Sequence, residues 1–145
     1  MDVFSRTFLP AAAEAGVAIP TVSRHMPIFR RCFEADDTTM LVSRCYRPAA
    51  PMAGEYMLVL SSRRLVVIQE TKVLHRLRLH LNANLRHLNN VSWSPDLGRS
   101  AMDLTATAVD GVRERFRLRL REPDAVWRSE SLLERVFRGS HAAAA

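Results

Sequence analysis

From Thr38 onward the sequence alternates apolar and polar residues with a period of two, and turn-forming residues interrupt this alternation about every ten residues. A period of two sends successive side chains to opposite faces of a strand, so one face can be buried while the other meets water. Many short strands at such regular spacing are typical of sandwiches and barrels. The pattern therefore predicts that most of the chain forms an all-β domain.

Seven strands are predicted between residues that favour turns. They cover residues 38–47, 55–61, 65–71, 73–81, 85–93, 101–109 and 112–120. In the fourth, Val73, His75 and three leucines share one face and mainly basic residues share the other, which predicts one buried side. In the seventh, four arginines alternate with apolar residues and Glu114, and the preceding Asp110-Gly111 predicts a two-residue hairpin turn.

Helical spacing replaces the period of two at both ends of the chain. Near the N-terminus two apolar stripes recur at helical intervals, formed by Phe4, Phe8, Ala12 and Ala15 and by Val22, Met26, Phe29 and Phe33. Gly16 is predicted to end the first helix, and Pro20 and Pro27 to divide the second stripe into short pieces. We expect the apolar faces to pack on the domain that follows. Docking on a second subunit and lying on an anionic membrane are the alternatives, in that order.

After the last strand, Pro123 suits a first helical turn, and apolar residues then recur at helical spacing to Phe137. A flat sheet of seven strands would leave two open edges, whereas a rolled sheet with a helix over one open end shields them. The chain is therefore divided into an N-terminal helical arm, residues 1–37, and a β domain, residues 38–138. The remaining residues, 139–145, read Gly-Ser-His followed by four alanines and resemble a purification-tag remnant.

The segment GEYMLVLSSRRLVV, from Gly54 to Val67, resembles the second and third strands of a bacterial pleckstrin-homology-like or GRAM-like domain. Trp127 is similar to the tryptophan that these domains often carry in their terminal helix. The resemblance covers about residues 38–137. It implies a mainly β fold: a seven-stranded barrel of two orthogonal antiparallel sheets, capped by a C-terminal helix and here preceded by the helical arm. Because members of this superfold are mostly binding modules, it also implies a non-catalytic interaction module.

The charge balance favours an acidic partner. Lysine and arginine total 21 against 15 aspartates and glutamates, a formal net charge of +6, and the sequence pI is about 10.6. Lys72 is the single lysine, a bias that indicates a high-GC, bacterial genome and weakens the arginines as evidence for nucleic-acid binding. The alternating arginines of the seventh strand are interpreted as a solvated strand face.

The resemblance also indicates where a ligand would bind. In lipid-binding members, basic residues cluster near the loop between the first two strands, and the matching positions here are Arg44, Arg47 and Lys72. Arg63 and Arg64, in the turn after the second strand, are expected to add charge complementarity. We predict a protein or peptide partner, which includes a second copy of the chain as a homodimer through the helical arm. The predicted binding surface is a groove beside the C-terminal helix or an exposed strand edge. Anionic lipid is the alternative, and nucleic acid is the least favoured.

The sequence offers no residue pattern typical of metal binding, catalysis or cofactor binding. His75 and His80 are five residues apart on one predicted strand and so face opposite sides, which predicts no metal site. The sequence has neither a glycine-rich phosphate loop nor an evident catalytic triad, so neither enzymatic activity nor a cofactor is predicted. Cys32 and Cys45 lie in unrelated segments, which indicates a reduced, cytoplasmic setting, with peripheral membrane attachment as an extension of it.

Overall fold

The computed structural model describes residues 1–138, so the predicted tag remnant lies outside the described residues. Two N-terminal helices, α1 (Val3–Glu14) and α2 (Ile19–Cys32), precede seven strands, and a helix, α3 (Pro123–Leu133), follows them. The strands are β1 (Thr39–Tyr46), β2 (Glu55–Ser61), β3 (Arg64–Glu70), β4 (Leu77–Asn84), β5 (Asn89–Asp96), β6 (Ala101–Thr107) and β7 (Arg113–Arg119). A π-helical turn, Glu134–Arg138, extends α3.

The strands form one antiparallel sheet in the order β4-β3-β2-β1-β7-β6-β5. Its two halves meet where β1 pairs with β7, and that pairing covers only the three residues from Arg44 to Tyr46. Leu58 of β2 and Phe116 of β7 belong to one buried apolar cluster, as do Met102 of β6 and Leu133 of α3. The sheet therefore rolls around a common interior that α3 helps to close, which confirms the predicted mainly β barrel with a C-terminal helix.

A second apolar cluster lies on the outer face of β1, β2 and β3, beneath α1 and α2. Phe4, Phe8, Phe29 and Phe33 are at most 6% exposed, and the centroids of neighbouring rings lie 4.8 to 6.3 Å apart. Because the sheet is covered on both faces here, β2 is buried along nearly its whole length, which explains its uninterrupted apolar run. The apolar faces of the N-terminal helices are thus occupied by this chain's own sheet.

The structure corrects the prediction that Pro27 breaks the second stripe, because α2 runs through Pro27 without interruption. Proline removes one backbone donor, so a helix that contains it loses a hydrogen bond. The buried Phe29 lies just beyond Pro27 on the face that packs against the sheet. We attribute the continuity of α2 to this tertiary packing.

The predicted fourth strand is wrong in its first residues. β4 begins at Leu77, and Val73, placed on the buried face by the sequence pattern, is 88% exposed in the β3–β4 loop. A register irregularity opposite Val67 and Ile68 changes the alternation along β4. Consequently His80, predicted to face solvent, packs on the interior aromatic rings, whereas Leu79 is half exposed.

Two further predictions need correction. Residues 85–87 form a 3₁₀ turn, and β5 starts at Asn89 and runs through Pro95, which an edge strand tolerates because one side of it has no ladder. The β6–β7 connection is a three-residue loop: the amide of Ala108 donates to the carbonyl of Val112, and only Gly111 has a positive φ, of 85°. This is a hairpin with a glycine bulge, in place of the predicted two-residue turn.

Candidate functional site

Three connections of the barrel meet at one end of it: the β1–β2 loop (47–54), the β3–β4 loop (71–76) and the β6–β7 loop (108–112). Glu114, at the start of β7, demonstrates the convergence. Its Oε2 lies 3.0 Å from Nε2 of His80, near the start of β4, and 3.8 Å from Nε of Arg47, just after β1. We call this region, with its three loops, the loop end.

The paired side chains of His80 and Glu114, which we call the polar plug, lie at the top of the interior beneath the loop end. His80 meets the rings of Tyr56 and Phe116 edge-on, at centroid distances of 5.4 and 5.8 Å, and Glu114 is 9% exposed. A buried carboxylate needs such partners, because an unpaired one is costly to remove from water. Within residues 1–138 no group of three or more His, Cys, Asp or Glu side chains has metal-binding geometry. The geometry of the plug therefore supports a structural role.

Large apolar side chains project into solvent from all three loops of the loop end. The β3–β4 loop exposes Val73 and Leu74, at 88% and 64%, and the β1–β2 loop exposes Met52 at 82%. The β6–β7 loop adds Val109 at 81% and Val112 at 49%. Clustered apolar residues at loop tips are an interaction feature, whereas single exposed ones are ordinary. Sequence analysis missed this feature because it placed Val73 inside the barrel.

Cations lie beside the apolar residues of the β3–β4 loop. Lys72 and Arg76 flank Val73 and Leu74 in the β3–β4 loop, and Arg78 follows at the start of β4; all three are exposed. Within the described residues none of the three has an ion pair. Lys72 is thus the one predicted site residue that the structure leaves exposed and unpaired at the loop end.

Arg44 and Arg47, the other two residues predicted for this end, are engaged. Nη2 of Arg44 lies 3.8 Å from Oε2 of Glu55, and Arg47 is directed toward Glu114. Their pairing partly neutralises them, although at 3.8 Å each pair is loose. The structure therefore brings Arg44, Arg47 and Lys72 to one end of the barrel, but not into one pocket.

Arg63 and Arg64 lie at the opposite end, in the β2–β3 hairpin. The guanidinium of Arg63 holds the Asp36 carboxylate with two bonds, of 2.9 and 3.1 Å, and these bonds keep the pKa of Asp36 below its usual value. Arg64 donates to the Asn82 side chain at 3.1 Å. The seven residues of β2 span about 20 Å. The five predicted residues therefore do not form one site.

The alternating arginines of β7 are held by neighbouring strands. Arg117 forms ion pairs with Asp96 at 2.7 Å and with Asp103 at 3.0 Å, and the first of these contacts lowers the pKa of Asp96. Arg115 and Arg119 pair with Asp103 and Glu55, and Arg113 donates to the Thr107 hydroxyl and the Asn90 carbonyl. These cross-strand pairs support the interpretation of a solvated strand face and leave the arginines less available for phosphates.

A groove of about 900 Å³ runs beside α3, bounded by α1 on its other side. Met40, Leu41 and Val42 of β1 form part of its floor, with Leu120 opposite them. Trp127, expected on the buried stripe of the last helix, is instead 52% exposed here. The predicted groove beside the C-terminal helix is thus present, and Trp127 is one of its walls.

In residues 1–138 no helix has the length and apolar character that crossing a bilayer requires. Comparison with known proteins finds no protein-family profile and no curated protein sequence that matches the chain. Solved structures do match in shape.

One match is the PDZ-RhoGEF DH/PH protein in complex with activated RhoA, which is 15% identical over 70% of this chain and 30% of its own, with a TM-score of 0.51. The chain thus spans less than a third of that protein's length. A pleckstrin homology domain from Shewanella amazonensis SB2B is 16% identical over 82% of this chain and 96% of its own, with a TM-score of 0.45. The Ran-binding domain of Nup2 from Ashbya gossypii is 11% identical over 72% and 97%, with a TM-score of 0.44. At such identities the likeness shows the fold alone, and that fold is pleckstrin-homology-like.

Proposed function

We propose that this protein is a non-catalytic interaction module whose loop end docks on anionic membrane surfaces. The observation that carries the proposal is the cluster of exposed apolar side chains on three converging loops, with cations beside it. Apolar tips enter the boundary between head groups and acyl chains, while neighbouring cations meet anionic head groups. The predicted lipid alternative is thereby favoured over the predicted protein partner for this end of the barrel.

The two contributions have comparable sizes. Full burial of one Val or Leu side chain contributes about 1.5–3 kcal/mol, and each cation near an anionic surface adds about 1 kcal/mol. Val73 and Leu74 lie in one loop with Lys72 and Arg76, so both contributions act at the same place. Loss of either should weaken binding measurably, and the electrostatic part should fall with salt.

Vesicle co-sedimentation tests this proposal. The full chain is mixed with vesicles of phosphatidylcholine alone or with about 30% phosphatidylserine, at about 50 and 150 mM salt. Two variants are compared with wild type: V73S/L74S, which removes the apolar tips, and K72E/R76E, which reverses the flanking charge. We expect wild type to sediment only with anionic vesicles and less at the higher salt, and both variants to stay largely in the supernatant.

Matched controls keep the result specific. R31E/R86E makes the same change in net charge at exposed arginines outside the loop end, and L9S/L97S removes two partly exposed leucines outside it. Both controls should sediment like wild type. The proposal is wrong if wild type does not bind anionic vesicles, or if R31E/R86E loses as much binding as K72E/R76E. The second outcome would indicate nonspecific attraction by the net charge of +6.

The predicted protein or peptide partner concerns the other candidate surface, the groove beside α3. The groove and the loop end share no residue: the groove is lined by α1, α3 with its π-helical extension, the first half of β1, the end of β7 and the chain after it. A homodimer through the N-terminal arm has less support, because the apolar faces of α1 and α2 are buried on the sheet.

A further inference from the structure

The groove contains an unpaired strand edge. β1 pairs with β2 from Thr39 to Cys45, but with β7 only from Arg44 to Tyr46, because β7 ends at Arg119. After Arg119 the chain turns away, and the amide of Leu120 donates to Ser100, on the side of β6. The two strands therefore diverge, and β1 has no strand partner over residues 40–43 on that side within the described chain.

Backbone groups on this edge face the groove. Neighbouring residues of a strand direct their N–H and C=O groups to opposite sides. Because Arg44 pairs with Arg119 of β7, Val42 is the residue among 41–43 whose N–H and C=O point away from β2. No backbone hydrogen bond joins these residues to the segments after β7 within residues 1–138. An unpaired edge is a template for another strand, and the floor around it is apolar, with Leu41, Leu120 and Leu132.

The rim of the groove is predominantly basic. Four arginines line it against two glutamates, and Arg128 lies 3.5 Å from each of those glutamates, Glu14 and Glu122. Arg119 is bound to Glu55. Arg121 and Arg135 have no ion pair within the described residues, so two cations border the floor without a counter-charge.

From these three observations we infer that the groove binds an extended acidic peptide, which adds a strand to the free edge of β1 between α1 and α3. Main-chain hydrogen bonds to Val42 hold the peptide, and alternate apolar side chains pack on the floor against Leu41 and Leu120. Carboxylates that flank the apolar segment pair with Arg121 and Arg135. The inference does not rest on membrane docking, because it uses another surface.

The test uses a synthetic peptide pool of the form EE-x-x-x-x-EE, whose central positions are drawn from Val, Ile, Leu, Thr and Ser, and a matched pool flanked by Lys-Lys. Binding is followed by amide NMR of the full chain and by fluorescence anisotropy. We expect the acidic pool to shift the amides of residues 40–43 and α3, and to slow hydrogen exchange at the β1 edge. The basic pool should bind at least about tenfold more weakly.

Two variants locate the site. R121E/R135E should weaken binding of the acidic pool about tenfold, because it removes two exposed charge pairs, whereas R31E/R86E should not. Ala125→Trp, on the groove wall, should block the peptide without loss of the native NMR spectrum. The inference is wrong if the acidic pool causes no shifts at about 1 mM, or if it binds R121E/R135E as well as R31E/R86E. It is also wrong if the same amides shift with protein concentration alone, because the occupant is then a second copy of the chain.

Discussion

His25 is a buried histidine of α2 with a defined hydrogen bond. Its Nδ1–H donates to the Thr21 carbonyl at 2.8 Å, and its ring stacks on Phe29. Burial lowers the pKa of His25 below the ordinary 6.5, with Arg24 and Arg44 acting in the same direction. The Thr21 bond and the Glu70 carboxylate act in the opposite direction.

This residue predicts a pH dependence of stability. Below pH 6.5 the unfolded chain binds a proton at His25 more readily than the folded chain does, so protonation favours unfolding. The free energy of unfolding should therefore keep its full value above about pH 6.5 and decrease as the pH is lowered toward 5. Urea unfolding of wild type and His25→Phe across this window measures the effect. An equally steep fall in the variant would contradict the assignment to His25.

Among the elements, two tight connections depend on glycine for different reasons. Gly54, before β2, has a φ of 112°, and a Cβ placed there would lie 2.5 Å from the backbone oxygen of Glu70. Gly111, before β7, has a φ of 85°, and its missing Cβ would have no atom within 4 Å. Both positions need a conformation that glycine adopts freely, but only Gly54 also needs the space.

The matched pair Gly54→Ala and Gly111→Ala separates the two effects. Gly111→Ala should cost only the conformational strain, about 1–2 kcal/mol. Gly54→Ala should cost about 1–3 kcal/mol more, since the β1–β2 loop and β3 must move apart. Chemical unfolding of both variants gives the two free energies. Equal costs would show that the approach to Glu70 contributes nothing.

For the whole molecule, the central feature is that β2 and β3 serve two cores. Their inner faces line the barrel with Leu58 and Val67, and their outer faces support the phenylalanines of α1 and α2 through Val59 and Ile68. If either layer loses its packing, apolar residues of these same strands become exposed to water, which weakens the strands that the other layer packs on. The helical arm and the β domain are therefore expected to unfold together, even though they differ in hydrophobic periodicity.

Phe8→Ala tests this coupling. Phe8 is fully buried between Phe4 and Phe29, so its truncation should cost about 3–5 kcal/mol. The unfolding midpoint should fall equally by far-UV circular dichroism and by the fluorescence of Trp93 and Trp127, which lie outside the arm. Leu9→Ala, at a 39% exposed position, is the control and should change little. An unchanged fluorescence midpoint would show that the arm unfolds on its own.

The sequence by itself determined the order and type of the elements, because periodicity is a local property. Phe4 and Phe8 marked the first helix, and the alternation around Phe116 marked both faces of β7, as the structure has them. The sequence did not determine which residues leave the pattern. A shift in the pairing of β3 with β4 turned His80 inward, and the loop before β4 exposed Val73. Such shifts depend on the partner strand, which no local pattern contains.

Which residues make up the two proposed binding surfaces was decided by the tertiary structure. Of the basic residues chosen from the sequence, Arg44, Arg47 and Arg63 meet carboxylates from other segments of the chain, whereas Lys72 has no ion pair within residues 1–138. The apolar residues of the loop end form one surface only because three loops converge. The free edge of β1 exists because β7 ends at Arg119 while β1 continues. In each case, contacts between segments distant in sequence determine which side chains and backbone groups stay accessible to a ligand. Composition and periodicity determine only the secondary structure that each segment favours.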